Sequence, residues 1–261
     1  MIRPRVIPCL LVRNKGLVKT VKFEEGKYVG DPINAVRIFN EKEVDEIMVL
    51  DIDATREGRE PDLAMIQKLA TECRMPLCYG GGVKTADKAQ QIFELGVEKV
   101  AVSAAALERP EIVSEMAERV GTQSVVVVLD VKKKMMGTRY EVYTHNASRR
   151  TRQNPVELAR KFEQLGAGEI VLNSIDNDGV MKGYDFKLID QVRAAINIPM
   201  SVLGGAGSLE DVGRVIERYG LIGAAAGSIF VFKGKYKAVL INYPNKEEKD
   251  AFLERYYRPM V

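Results

Sequence analysis

One histidine, three cysteines and no tryptophan occur in the 261 residues. With a single imidazole, His145, and no His/Cys cluster, a zinc site of the usual ligand types is not expected. No metal or other cofactor is therefore assigned. Serine-histidine or cysteine-histidine nucleophilic catalysis would have to pass through that one residue. Cys9, Cys73 and Cys78 are odd in number and lack paired metal-type spacing, which predicts free thiols and a reduced, cytoplasmic setting. Long apolar runs are missing, and the opening MIRPRVIPCL has no secretory pattern, so no membrane association is expected. An excess of one charge sign is nearly missing too: 39 Lys and Arg against 36 Asp and Glu give a formal net charge of +3. Nucleic-acid binding needs a concentrated basic face, so none is expected, whereas a phosphorylated small molecule suits the slight positive excess. The G-x-G-x-x-G fingerprint of dinucleotide-binding open sheets is also lacking.

What is present is alternation. Eight short β-branched runs predict strands: VIPCLLV (6–12), EIMVLDID (46–53), PLCYGG (76–81), KVAVSA (99–104), SVVVVLD (124–130), EIVLNSID (169–176), PMSVLGG (199–205) and IGAAAGS (222–228). Amphipathic helical patterns lie between them over 32–42, 61–72, 85–96, 154–166 and 209–220, several opened by Pro, Asp, Ser or Thr. Strands joined through crossover helices must run parallel, and eight such units predict a closed (β/α)8 TIM barrel rather than an open sheet. Barrels of about this length form one domain, which predicts a single unit over 1–261.

A repeat runs through that unit. CYGGGVKTADKAQQIFELGVEKVAVSAAAL (78–107) overlays VLGGAGSLEDVGRVIERYGLIGAAAGSIFV (202–231) without a gap, matching Gly80 to Gly204, Asp87 to Asp211 and Gly96 to Gly220. EIMVLDID overlays EIVLNSID in the same way, with Asp53 above Asp176. Two (β/α)4 halves, about 1–120 and 121–261, are expected to share one core around a pseudo-two-fold axis.

Barrels of this type work at the C-terminal ends of their strands and often hold phosphate in the loops after strands seven and eight. Gly205 and Gly207 in GGAG, Gly227 and Ser228 in AAGS, and Asp178-Gly179 after strand six form one candidate anion site. Glycine lets backbone approach an anion, and N–H groups at a turn can donate to it. The symmetric copy, Gly82 with Ser103 and Ala104, has fewer side-chain donors. Two such sites would suit an elongated substrate with a phosphate at each end.

IPCL (7–10), GDP (30–32), EGRE (57–60), GGG (80–82), D-x-D-G (176–179) and GGAG (204–207) stand in an order that resembles the imidazole glycerol phosphate synthase cyclase family over nearly the whole chain. The resemblance implies a reaction at the barrel mouth that combines ammonia with a bis-phosphorylated ribulosyl aminoimidazole carboxamide. It also implies a glutaminase partner at the opposite, N-terminal face. In that family two aspartates, on strands one and five, share acid/base work, as cyclisation requires. Asp130 supplies the strand-five group, but Leu11 stands where the strand-one aspartate is expected, and the internal overlay likewise sets Leu11 against Asp130. Lys19 and Asp51 match family positions, while Ser103, Ala104, Asn173 and Leu203 depart from them. Lys19 falls in the long loop 13–32, a natural lid, and could equally be a solvated lysine.

The pattern is similar to a divergent second-copy branch, held to supply ammonia to a sugar amidotransferase in surface-polysaccharide (O-antigen) synthesis. At the other end, strand parity sets Arg5, Glu46, Lys99 and Glu169 at the openings of strands one, two, four and six. They match the family's ammonia gate, and charges facing a barrel core persist only when paired. A neutral plug is the plainer reading. Three functions stay open: a diverged synthase subunit, an ordinary histidine-pathway cyclase, and a non-catalytic ammonia conduit that activates the glutaminase. His145 and the SRRTR run (148–152) fall in the strand-five loop, with a hairpin expected around MMGTRYEVYTH; Arg149, Arg150 and Arg152 could meet an anionic substrate but read rather as facing water, Tyr256 and Tyr257 of the last helix read as packing residues, Cys9 as barrel interior and Cys78 as the end of strand three.

Overall fold

The structure is a computed structural model that describes residues 3–134 and 139–257. Eight strands, β1 (Arg5–Arg13), β2 (Ile47–Asp51), β3 (Leu77–Gly80), β4 (Lys99–Val102), β5 (Val125–Lys133), β6 (Glu169–Ser174), β7 (Met200–Leu203) and β8 (Gly223–Ala226), pair in sequence order. All eight pairings are parallel, and β8 closes on β1 with Arg5 opposite Gly223, so the sheet is a barrel without a free edge.

Helices α1 (Pro32–Glu41), α2 (Leu63–Glu72), α3 (Ala86–Glu94), α4 (Ile112–Val120), α5 (Pro155–Gln164), α6 (Phe186–Arg193), α7 (Leu209–Tyr219) and α8 (Lys246–Tyr256) complete the βα alternation. Their starts are written in side chains: Asp31, Asp62, Thr85, Asn154, Asp185, Ser208 and Asn245 each accept a backbone N–H from the first turn. Glu111 before α4 makes no such bond, so that helix carries no N-cap signal. Tyr256 of α8 lies across Gly213 of α7, where a Cβ would come within 2.6 Å of its ring.

Two apolar layers result. The larger packs the outer strand faces against the helices; a smaller one fills the barrel with Ile7, Cys9, Met48, Cys78, Ala101 and Val126 among others. Alternation along β1 puts Ile7 and Cys9 in that inner layer with Leu11 at its upper end, while Arg5 opens the base.

The halves correspond in detail. Ile52 N–H donates to Val12 O, and Ile175 N–H to Val131 O. Asp53 ties to Arg13 of β1, and Asp176 to the Lys133 N–H of β5. Both β1 and β5 also carry an antiparallel partner. On β1 the long loop expected as a natural lid is a hairpin of strands Gly16–Thr20 and Gly26–Gly30, in which exposed Tyr28 alternates with buried Val29 as strand rather than loop. On β5 the expected hairpin returns through Tyr140–Thr144, with Tyr143 opposite Asp130; its residues 135–138 lie outside the described residues. Among the described residues no helix is long and apolar enough to cross a membrane.

Candidate functional site

A cavity of about 120 Å³ opens at the C-terminal ends of the strands. Leu11 of β1, Leu50 of β2, Asp130 of β5 and Asn173 of β6 all line it. Register makes them two pairs: Leu11 sits opposite Leu50, and Asp130 opposite Asn173. The pseudo-two-fold relation that equates β1 with β5 and β2 with β6 therefore sets two leucines against an acid and an amide. Asn173 Nδ2 donates to Asp130 Oδ1 at 2.9 Å. Burial pushes the Asp130 carboxyl up to about 7, with the Asn173 bond opposing and the Asp178 charge adding to the rise. A group in that range both gives and takes a proton near neutral pH.

The other two carboxylates in the cavity are committed. Asp51 accepts the Ala54 N–H at 3.0 Å and Arg59 Nη1 at 3.1 Å. Asp178 accepts Lys19 Nζ at 2.8 Å and Thr20 Oγ1 at 3.1 Å, and its carbonyl takes the Lys22 N–H. Lys19 is buried, not solvated, and the hairpin on β1 is pinned by these bonds to the loop after β6. Arg59, Thr20 and His145 are site residues that sequence reasoning passed over. Arg59 lies within EGRE, a motif quoted for its order only, and His145 reaches the cavity through the return of the β5 hairpin.

The two candidate anion sites differ in what they offer the cavity. Gly82, Ser103 and Ala104 line it, and Ser103 Oγ is buried with no hydrogen-bond partner among the described residues. Of the other set, Asp178 and Gly227 line it, whereas Gly179, Gly205, Gly207 and Ser228 do not. Gly205 and Gly207 instead meet backbone: a Cβ there would stand 2.1 Å from Gly183 O and 2.3 Å from Met181 O. The Gly207 N–H is already given to Asp211 Oδ2 at 2.9 Å.

At the opposite end Arg5, Glu46, Lys99 and Glu169 form a closed ring. Arg5 pairs with Glu46 and, at 2.7 Å, with Glu169; Lys99 pairs with the same two at 2.8 and 2.9 Å. Ser201 Oγ donates to Glu169 as well. Burial works to raise the Glu169 carboxyl, but the Arg5 and Lys99 charges with the bonds from Arg5 and Ser201 outweigh it and hold it at about 2. The ring caps the apolar interior, whose upper end is the cavity with Cys9, a thiol pushed up to about 12 by burial.

Comparison with known proteins gives a consistent result. The family described as histidine biosynthesis protein matches residues 5–237. A Vibrio vulnificus protein provisionally named imidazole glycerol phosphate synthase subunit hisF3 is 58% identical over 97% of this chain and 98% of its own length. A Pseudomonas aeruginosa protein provisionally named subunit hisF2 of the same synthase is 51% identical, over 96% and 99%. The imidazole glycerol phosphate synthase subunit HisF of Clostridium botulinum (strain Okra) is 38% identical, over 95% and 98%.

Proposed function

Because the chain belongs to the histidine biosynthesis protein family, and within it to the imidazole glycerol phosphate synthase HisF subunits, we propose that it is the synthase-side subunit of a glutamine amidotransferase with altered chemistry at its mouth. A glutaminase docks on the N-terminal face and releases ammonia at the ring of Arg5, Glu46, Lys99 and Glu169. The neutral molecule crosses the apolar interior to the cavity, where Asp130 meets it. The acceptor carries phosphate, held at the Gly82 and Ser103 side of the cavity and, across it, beside Lys19 and Gly227, with Asp51 and Arg59 fixing the rim.

One observation carries the proposal of divergence: Leu11, paired with Leu50, stands where symmetry and family pattern set the counterpart of Asp130. Leucine transfers no proton, and losing one member of an acid/base pair costs on the order of 100- to 10,000-fold in rate. The relatives at 51–58% identity are only provisionally named as subunits of this synthase, two of them with copy numbers, while the one at 38% identity is named without reserve, which supports a separate branch. An amino-group acceptor in surface-polysaccharide sugar synthesis, reached through a sugar amidotransferase, fits that branch.

A second reading is favoured by the same leucines beside an intact ring: the barrel only activates the glutaminase and conducts ammonia to a third protein. Cyclisation of the bis-phosphorylated ribulosyl aminoimidazole carboxamide with ammonium salt separates the possibilities. The proposal expects turnover at least 100-fold below that of a two-aspartate cyclase, together with stimulation of the glutaminase. Turnover equal to such a cyclase would return the chain to ordinary histidine synthesis; stimulation with no turnover of any acceptor would establish the conduit.

A further inference from the structure

His145 is the chain's only imidazole, and it lines the mouth cavity from the turn that follows the return strand of the β5 hairpin, with its side chain 12% exposed. Tyr143 lies opposite Asp130, and the chain turns immediately beyond it, so the hairpin carries the imidazole back over the strand that bears the acid. The turn is unusual. His145, Asn146 and Ala147 hold φ of 53, 54 and 62° in succession, a left-handed run made without glycine. Such backbone costs roughly 1 kcal/mol or more per residue and persists where the surroundings fix it, often beside a reacting group. Nδ1 lies 3.1 Å from Thr144 Oγ1, which leaves Nε2 as the free nitrogen, 3.7 Å from Glu108 Oε1.

Elimination points to the same residue. Asp51 is bound to Arg59, and Asp178 and Lys19 to each other; Cys9 stays a thiol. Among the cavity-lining side chains that exchange protons near neutral pH, Asp130 and His145 are left.

We propose that His145 is the second proton-transfer group of the mouth, working with Asp130 in place of the carboxylate that Leu11 cannot provide. The inference rests on the amidotransferase reading above. Condensing ammonia with a ketose carbonyl forms a C–N bond and expels the oxygen as water, so two protons leave nitrogen and two reach oxygen. His145 Nε2 takes each proton from nitrogen, and protonated Asp130 delivers each to oxygen. Proton exchange with solvent resets the pair between steps, and no oxidant is needed. The groups around the imidazole suit a base. Burial, then the Arg149 charge of the hairpin, lower its pKa; Glu108 of the short helix Ala104–Glu108 after β4 opposes and Lys84 of the turn after β3 adds, so the ring enters the step neutral.

A plainer role is a latch, since Arg149 also reaches Glu108 at 3.2 Å and ties the hairpin to that helix. The test separates the two on the full chain, with ammonium salt and the bis-phosphorylated ribulosyl aminoimidazole carboxamide. Slow wild-type turnover is expected, with His145→Gln lowering kcat about 100-fold or more, KM within two-fold, and the acidic limb of the kcat–pH profile removed. Glu108→Gln, which cuts the latch and removes only the charge that opposes the imidazole's lowered pKa, should leave kcat within about three-fold. Equal losses in the two variants, or a His145→Gln kcat near wild type, overturn the inference. The lone imidazole gives a reading that needs no variant: its ¹⁵N signals must move when this substrate saturates the wild-type chain, and fixed signals overturn the inference as well. Turnover by Leu11→Asp but not by wild type also overturns it and leaves the amidotransferase reading standing, as does glutaminase stimulation without turnover by either. Absence of both turnover and stimulation overturns that reading itself.

Discussion

Asp130 is the side chain on which acidity and stability meet. Its carboxyl is raised to about 7 in the folded chain, while an unfolded aspartate titrates near 4. A raised acid stabilises the fold below its unfolded value and loses that contribution as pH climbs through the folded one. The full rise would correspond to about 4 kcal/mol, which water at the cavity mouth reduces to roughly 2. Asp130→Asn keeps the shape without the charge, so it should gain about 2 kcal/mol over wild type at pH 8 and almost nothing at pH 4, read by urea denaturation. A pH-independent difference would show that the carboxyl is not raised. Leu11→Asp restores the missing partner across the cavity and should increase ammonium-driven cyclisation by at least 100-fold. Unchanged turnover would mean that Asn173, Ser103 or Leu203 has altered the mouth beyond what one carboxylate can repair. Sequence overlay was enough to expose the Leu11–Asp130 mismatch, because an ungapped repeat equates positions without coordinates. The overlay of the second strands likewise sets Leu50 against Asn173, but that these two neighbour Leu11 and Asp130 could not be read, since cross-strand partnership depends on barrel register.

All eight barrel strands were legible as short apolar runs, because a parallel strand buried on both faces reads as a nearly continuous apolar stretch. Helices with a side-chain cap and a Pro or acidic first turn were legible as well. The short α6 was missed despite Asp185, which donates no charge pattern beyond its cap, and α4 was missed for want of any cap. The β1 hairpin escaped because Lys19 and Thr20 read as polar loop residues until Asp178, far along the chain, arrives to pair with them. Its docking depends on the loops after β6 and β7 lying flat against each other. Gly205 at φ 122°, with Gly183 O 2.1 Å from where a Cβ would be, fixes that contact. Gly205→Ala should cost about 3 kcal/mol or more, seen as a lower urea midpoint at unchanged slope. A loss below about 1 kcal/mol would mean that these loops are free to part.

The barrel as a whole is closed at its base by charge and open at its mouth through a small cavity. Glu169, held at about 2 against an unfolded value near 4.3, adds stability that is complete above the unfolded value and disappears as pH falls through the folded one. Wild type should therefore lose thermal midpoint steeply between pH 4.5 and 2. Glu169→Gln should start about 3 kcal/mol lower at pH 7, with Arg5 and Lys99 left to share Glu46, and decline less over that acid range. Parallel declines in the two proteins would place the acid sensitivity elsewhere. The ring itself was readable from strand parity, but its closure, each cation touching both anions, needed the barrel's curvature. The backbone-on-backbone contacts at Gly205 and Gly207 bear on the ancestry of such chains. A lineage that ceased to use phosphate would still be selected to keep glycine at both positions, because any side chain would strike a carbonyl. Inheritance of those glycines thus records the barrel's assembly, and the history of its ligands is written in Leu11, Leu50, Ser103 and His145.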